Sequence, residues 1–137
     1  MNGFSFVSTQ PGLDEYQPGV CNIGPAEIAR RRMSGHLALA VTAIGFAVLV
    51  GLGLPHWTRL LLLLPAAGAA TGYIQAQLHF CAGFGSRGVF NFGALGNVRS
   101  VQDLEARRAD MRRSLQIGLA ALAIGLAVAM VATLLPF

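Results

Sequence analysis

Two cysteines and three histidines are the residues in this chain best suited to chemistry, and all of them interrupt or flank apolar sequence. Thiolate and imidazole groups bind zinc, copper(I) and iron, and a thiolate is also a nucleophile. The carboxylate of Glu27 and the amides of Gln75 and Gln77 lie close in sequence to four of these side chains, near the ends of apolar stretches. The resulting candidates for binding a ligand or partner are Cys21, Glu27, His36, Gln75, Gln77, His79 and Cys81.

These candidates allow a metal site and a haem site, but their spacing favours neither. Cys21, His79 and Cys81 would supply three ligands to a soft metal ion, and His36 with His79 would supply two axial ligands to a haem. Residues two apart on an α-helix point about 200° apart, so His79 and Cys81 can share an ion only if the helix has ended by Phe80. The sequence therefore favours hydrogen-bonded histidines and inert thiols, with a sulfur-handling or electron-carrying thiol left open. We identify no catalytic constellation.

The elements that must position these residues are apolar helices. The chain is 54% hydrophobic and 12% charged, whereas soluble domains average roughly 25% charged residues. Three stretches approach the length of about 20 residues that a helix needs to cross a bilayer: 36–54, 58–80 and 114–136. We therefore predict one all-α integral membrane domain with three transmembrane helices. Only Pro55-His56-Trp57 separates the first two, which predicts an antiparallel hairpin.

The remaining segments are predicted to lie outside the bilayer core. Residues 1–24 read as an irregular tail and 81–100 as a loop rich in glycine and phenylalanine, while Pro25 and Glu27 favour a helix start before the first span. Glu27 is also expected to meet Arg31, one helical turn further on. Ser100-Val101-Gln102-Asp103 resembles a capping box, so 101–113 is predicted to form a basic juxtamembrane helix leading into the third span. Its lipid-facing anchor residues are Arg107, Arg108, Arg112 and Arg113.

The distribution of arginines predicts the orientation. Nine arginines flank the predicted tail and second loop, and one, Arg59, lies on the other side, where it is expected to snorkel towards the headgroups. The positive-inside rule then places the N-terminus in the cytoplasm and the C-terminus outside. All ten basic residues are arginine in a chain rich in alanine and glycine, which is typical of GC-rich bacterial genomes. We therefore expect a multi-pass protein of the bacterial inner membrane, bound to lipid and not to nucleic acid.

Small residues recur at helical spacing in each predicted span and predict where the helices touch. Gln75 and His79 continue the stripe of the second span towards its cytoplasmic end, so they are expected to face the packing seam. Pro65 is expected to bend the second span. The predicted stripes are Ala40, Ala43, Ala47 and Gly51; Gly68 and Gly72; and Ala121, Gly125 and Ala129.

Residues 22–81 resemble the small two-helix bacterial inner-membrane domain that accompanies rhodanese sulfurtransferases. The similar features are the segment Asn22-Ile23-Gly24-Pro25-Ala26-Glu27-Ile28-Ala29-Arg30, the tight hairpin, and Phe80-Cys81. Ala82 stands where that family has proline, Cys21 is an addition, and a third apolar stretch follows. The resemblance implies that Cys81 lies near a surface that handles sulfur or docks a partner.

Three functions remain open from the sequence. The first is an accessory subunit or homo-oligomeric scaffold whose cytoplasmic face, bearing the Cys and His residues, binds a partner, lipid or ligand. The second is an oligomeric transporter or channel with its path near Gln75 and His79. The third is a membrane redox, sulfur-handling or metal- or haem-binding protein. The expected partners are membrane lipids, other membrane subunits or further copies of the chain.

Overall fold

The computed structural model describes residues 15–137, which are mostly helical, as predicted. We number the elements along these residues. They are α1 (Pro25–Gly51), a 3₁₀ helix (His56–Leu62), α2 (Leu63–Leu78), α3 (Ala82–Arg87), β1 (Val89–Phe90), β2 (Arg99–Ser100) and α4 (Leu104–Leu134).

Two helices, α1 and α4, are long and apolar enough to cross a membrane, with mean hydropathies of 1.9 and 2.4 over their most apolar windows. The stretch predicted as the second span, 58–80, differs from the prediction because it begins as a 3₁₀ helix and contains only a 16-residue α-helix. Pro65 explains the change of helix type. It has no N–H to donate to the carbonyl of Leu61, and its ring clashes with that carbonyl in an α-helix.

The first two helical segments form an antiparallel pair, as predicted. Gly72 of α2 lies so close to α1 that a Cβ there would be 2.6 Å from the backbone nitrogen of Gly35. At the opposite end of the pair, a Cβ on Gly45 would be 3.1 Å from a methyl group of Leu62. The predicted stripe on α1 is wrong, because all four of its residues are exposed, whereas Gly35 and Thr42 are buried. Small residues occur all around α1, so their spacing did not define one face.

Helix α4 runs without interruption through the predicted juxtamembrane helix and third span. Its N-cap is Asp103, whose Oδ2 accepts from the N–H of Ala106 at 3.1 Å, while Ser100 of the expected capping box lies in β2. Gly125 packs on α2, where an added Cβ would be 2.8 Å from Ala67 Cβ. The predicted α4 stripe is confirmed because Ala121, Gly125 and Ala129 are all buried. Helix α2 therefore packs against both α1 and α4.

Arg59 closes the end of the molecule opposite most of the arginines. It was expected to snorkel, but it is buried and its guanidinium donates to the carbonyls of Ala132 and Leu135 at 2.9 and 3.1 Å and to an oxygen of Phe137. Its guanidinium carbon also lies 5.4 Å from the ring centroid of Phe46. The reason lies at the C-terminus of α4, where the carbonyl of Ala132 has no helical donor because residue 136 is proline.

The other end carries a small folded unit that we call the cap, comprising residues 15–24 and 79–103. The chain predicted as an irregular tail is buried from Cys21 to Gly24 and forms a parallel bridge between Ile23 and Asn91. The predicted 81–100 loop contains α3 and the antiparallel pair of β1 and β2. Residues 1–14 of the predicted tail lie outside the described residues. Because α1 and α4 start here and α2 ends here, the nine remaining arginines gather at this end.

Candidate binding site in the cap

Asn22 holds the backbone of Cys81 through both ends of its side-chain amide. Its Nδ2 donates to the carbonyl of Cys81 at 3.1 Å, and its Oδ1 accepts from the N–H of Cys81 at 2.7 Å. The backbone N–H of Asn22 also donates to the carbonyl of His79 at 3.2 Å. His79 has a left-handed conformation, with φ at +57°, and ends α2. Cys81 therefore lies outside the helix. The angle of about 200° that a continuous helix would place between the side chains of His79 and Cys81 does not apply.

Asn91 links the cap to the first turn of α1. Its Nδ2 donates to Glu27 Oε2 at 3.0 Å and to the carbonyl of Ala94 at 2.9 Å. Its backbone N–H donates to Asn22, and its carbonyl accepts from Gly24. Asn22, Glu27 and Asn91 are each no more than 1% exposed. Polar groups at this depth are costly unless they are hydrogen bonded, so these bonds hold the cap in one arrangement.

The side chains of Glu27, Arg31 and Cys81 form a line of contacts at the base of the cap, with Arg31 between the other two. Arg31 Nη1 lies 3.2 Å from Glu27 Oε1, an ion pair by distance although it lacks hydrogen-bond alignment. Arg31 Nη2 donates to Cys81 Sγ at 3.1 Å, and the guanidinium lies over the ring of Phe84 at 5.4 Å from its centroid. The sequence prediction that Glu27 pairs with Arg31 one turn on is confirmed. The contact with Cys81 places a cationic hydrogen-bond donor directly on that sulfur.

Cys21 is a buried thiol in a different environment. Its Sγ lies 3.7 Å from the carbonyl oxygen of Ile23. Burial raises the pKa of Cys21 to about 11, because the thiolate would lose its hydration. Cys21 is therefore protonated at neutral pH.

Two of the remaining candidates, Gln75 and His36, have partners of their own. Gln75 is buried, and its Oε1 accepts from the N–H of Ala82 at 2.7 Å, so its side chain helps to start α3. Gln77 is exposed. His36 Nδ1 lies 2.7 Å from the hydroxyl of Tyr73, with the two rings edge to face.

The proposed metal ligands do not assemble. Within residues 15–137, no three His, Cys, Asp or Glu side chains form a group that could hold a metal ion. Cys21, His79 and Cys81 therefore do not form the predicted ligand set. The haem prediction through His36 and His79 remains untested.

Asp110 is a buried acid that sequence reasoning did not single out. Its Oδ2 accepts from the hydroxyl of Tyr16 and its Oδ1 from the N–H of Gly19, both at 2.7 Å. Burial and the adjacent carboxylate raise the pKa of Tyr16. The signal was present in the spacing of α4, because Asp110 and Ser114 extend the buried small-residue stripe towards the N-terminus. Asp110 thereby ties the first described residues to α4.

The predicted basic anchor divides into two pairs. Arg107 Nε donates to the carbonyl of Val101 at 2.7 Å, and Arg113 Nε donates to the carbonyl of Gly19 at 2.9 Å. These two arginines hold parts of the cap. Arg107 is nevertheless exposed, as are Arg108 and Arg112, so three members of the predicted anchor reach the protein surface.

A cleft of about 290 Å³ opens on the surface of the cap. Tyr16 and Phe90 are stacked along it with ring centroids 4.9 Å apart, and Phe92 follows at 6.0 Å from Phe90. Asn97 and Arg99 contribute an amide and a guanidinium. Three aromatic rings, an amide and a guanidinium therefore meet around this cleft.

Comparisons of the chain with protein-family models, with curated proteins and with solved structures found no match.

Proposed function

We propose that this chain is a small integral protein of the bacterial inner membrane, an accessory subunit or homo-oligomeric scaffold whose cap binds a partner, lipid or ligand. The observation that carries the proposal is the cap itself, a unit with buried polar contacts and an aromatic cleft, held at the arginine-rich end of apolar helices. The positive-inside rule places this end in the cytoplasm and the end containing Arg59 outside.

The exposure of the apolar helices supports a membrane environment. Only 11% of the most apolar window of α1 and 28% of that of α4 are buried within the protein. Large side chains such as Leu37, Ile44 and Leu119 are more than 60% exposed. A core helix of a soluble protein would bury these surfaces, and soluble monomers rarely expose such continuous apolar area.

The 3₁₀ helix and α2 supply the middle span in this proposal. Together they run from His56 to Leu78 and are about 38 Å long at their standard rises per residue, enough for a core of about 30 Å. The outward faces of this segment are also apolar, with Leu61 and Leu64 strongly exposed. The topology is then three spans, with the N-terminus inside and the C-terminus outside.

Cysteine accessibility tests this topology. Trp57→Cys and Ser86→Cys place thiols at exposed positions at opposite ends of the bundle. In intact cells, an impermeant maleimide should label the Trp57→Cys variant and should label the Ser86→Cys variant only after lysis. The unsubstituted protein is the control for Cys21 and Cys81. The reverse pattern would invert the topology, and release of the protein from membranes by alkaline carbonate would contradict embedding.

The accessory or scaffold role is tested by the state of the protein in native membranes. Extraction in mild detergent followed by size-exclusion chromatography with mass measurement should give an oligomer or a complex with another chain. A monomer that copurifies with no other chain would contradict this role. The alternative transport path would pass near Gln75. Its side-chain oxygen already accepts from the N–H of Ala82, and this contact does not favour a conducting role.

A second candidate function is sulfur handling at Cys81, favoured by its contact with Arg31. The resemblance to the rhodanese-associated domain points to the same residue, Cys81, whose sulfur accepts a hydrogen bond from Arg31. Gly83 is exposed, and a Cβ there would be 3.7 Å from Cys81 Sγ, so the sulfur lies just below the surface. In this role the Cys81 thiolate attacks the outer sulfur of a small persulfide, giving a persulfide on Cys81 and releasing the donor's thiolate.

Persulfide labelling tests the second candidate. After incubation with glutathione persulfide, Cys81 should gain one sulfur, detected by mass spectrometry of the alkylated peptide. Arg31→Gln should slow this gain, Arg31→Lys should retain part of it, and Arg30→Gln, a matched change one residue away, should leave the rate unchanged. Equal rates in all four proteins would exclude a role for Arg31 in activating the thiol.

A further inference from the structure

An apolar groove of about 190 Å³ lies over α2 between the two flanking helices, in the apolar part of the bundle. Its floor is formed by small residues of α2 and its walls by branched side chains from α1 and α4. Thr42, on the α1 side, uses its hydroxyl to donate to the carbonyl of Ala38 at 2.8 Å, so the groove presents little unsatisfied polarity. The residues that define it are Leu39, Ala69, Ala70, Tyr73, Ile124 and Val128.

The cap end of this groove is polar and positively charged. Tyr73 lines the groove, and its hydroxyl is 2.7 Å from Nδ1 of exposed His36. Arg32, also exposed, precedes His36 by one helical turn and so occupies the same face of α1. A molecule in the groove would have its apolar part among alanine and aliphatic side chains and its other end near an imidazole and a guanidinium.

We propose that the groove binds one acyl chain of an anionic phospholipid, with the lipid phosphate near Arg32 and His36. This inference rests on the proposed membrane embedding. Lipid chains surround the helices in that setting, and a chain can follow the narrow recess over Ala69 and Ala70. Charge complementarity selects the headgroup, because basic residues at the inner surface attract anionic lipid. A second copy of the chain is the competing occupant.

Lipid retention measured by native mass spectrometry tests the proposal. The full-length protein, purified and delipidated in mild detergent, is mixed with phosphatidylglycerol or phosphatidylcholine of identical chains. We expect one phosphatidylglycerol to be retained per protein chain, in preference to phosphatidylcholine. Arg32→Gln should weaken retention about fivefold, the effect of removing roughly 1 kcal/mol of headgroup attraction. Arg30→Gln removes the same charge from the same turn on another face and should change retention much less.

A second pair of variants tests the groove itself. Ala70→Leu fills the floor and should abolish the preferential retention, whereas Ala123→Leu adds the same volume at an exposed position of α4 outside the groove and should preserve it. Helical circular dichroism and the unfolding temperature establish that each variant is folded. If Ala70→Leu does not fold, the arginine pair decides the question.

The outcomes separate this inference from the proposed membrane embedding. Equal retention of both lipids, or unchanged phosphatidylglycerol retention in folded Ala70→Leu, would overturn the lipid site while carbonate-resistant membrane association persists. A change from dimer to monomer in Ala70→Leu without any lipid preference would assign the groove to a second copy and would also overturn the proposal. Release by carbonate would instead refute the embedding on which the inference depends.

Discussion

Asn22 and Cys81 are joined by two hydrogen bonds that use both ends of the asparagine amide and both backbone polar groups of the cysteine. The pair connects the segment before α1 to the segment after α2, 59 positions apart in sequence. It also holds Cys81 where its sulfur can accept from Arg31. The position of the candidate thiol therefore depends on a residue far from it along the chain.

Asn22→Ala should strongly destabilise the cap. The substitution leaves the N–H and C=O of Cys81 without these partners, at about 1–3 kcal/mol for each buried group. We expect a lower unfolding temperature in detergent and faster alkylation of Cys81 as the cap opens. Asn97→Ala, an exposed asparagine of the same cap, is the matched control and should be nearly neutral. Equal stability of the two variants would show that the two hydrogen bonds from Asn22 to the backbone of Cys81 contribute little to stability.

Arg59→Gln should destabilise the opposite end of the bundle. The guanidinium donates to carbonyls of Ala132 and Leu135 at the end of α4, and hydrogen bonds to charged groups contribute about 1.5–3 kcal/mol each. Thermal unfolding and hydrogen exchange near the α4 C-terminus should report the loss. Arg108→Gln, at an exposed site, is the control. If exchange at the α4 C-terminus is unchanged in Arg59→Gln, this capping role is wrong.

The sequence predicted the helical class and the hairpin because long apolar stretches, prolines and short connections are local features. It also predicted the α4 stripe correctly from its four-residue spacing, although exposed small residues such as Ala120, Ala123 and Ala127 occur on the other faces of that helix. It failed on α1, where small residues surround the helix, and on Arg59, because no local pattern shows that the end of α4 will lie beside it. Burial of that arginine depends on tertiary packing.

The sequence predicted several residues of the candidate site but few of the contacts between them. The Glu27 and Arg31 pair followed from helical spacing, and the convergence of polar residues at the cap end followed from topology. The contacts of Asn22 and Asn91 could not be predicted, because they depend on His79 ending α2 in a left-handed conformation and on an irregular segment returning to that point. Neither feature has a periodic signal.

Cys21 should make the stability of the protein depend on pH in the alkaline range. Burial raises the pKa of Cys21 from its ordinary value of 9.0 to about 11, so folding favours the protonated thiol. Its contribution to stability is fully present below about pH 9 and is lost as the pH rises through about 11. Cys21→Ala should therefore flatten the decline in unfolding temperature between these values. An unchanged decline in Cys21→Ala would assign it to other groups.

Gly72→Ala should separate α1 from α2, whereas Gly68→Ala should be tolerated. A Cβ at Gly72 would lie 2.6 Å from the backbone nitrogen of Gly35 and 2.8 Å from the carbonyl oxygen of Arg31, and backbone atoms cannot move aside without shifting the helix. A Cβ at Gly68 would meet only Ala38 Cβ at 3.7 Å, an ordinary contact. The two variants make the same chemical change one turn apart on α2, so helix propensity affects both equally.

We expect a much lower unfolding temperature for Gly72→Ala, together with weaker crosslinking between cysteines introduced at Leu39 and Ala66. Similar unfolding temperatures for the two variants would mean that the close approach of Gly35 and Gly72 does not determine how the hairpin packs.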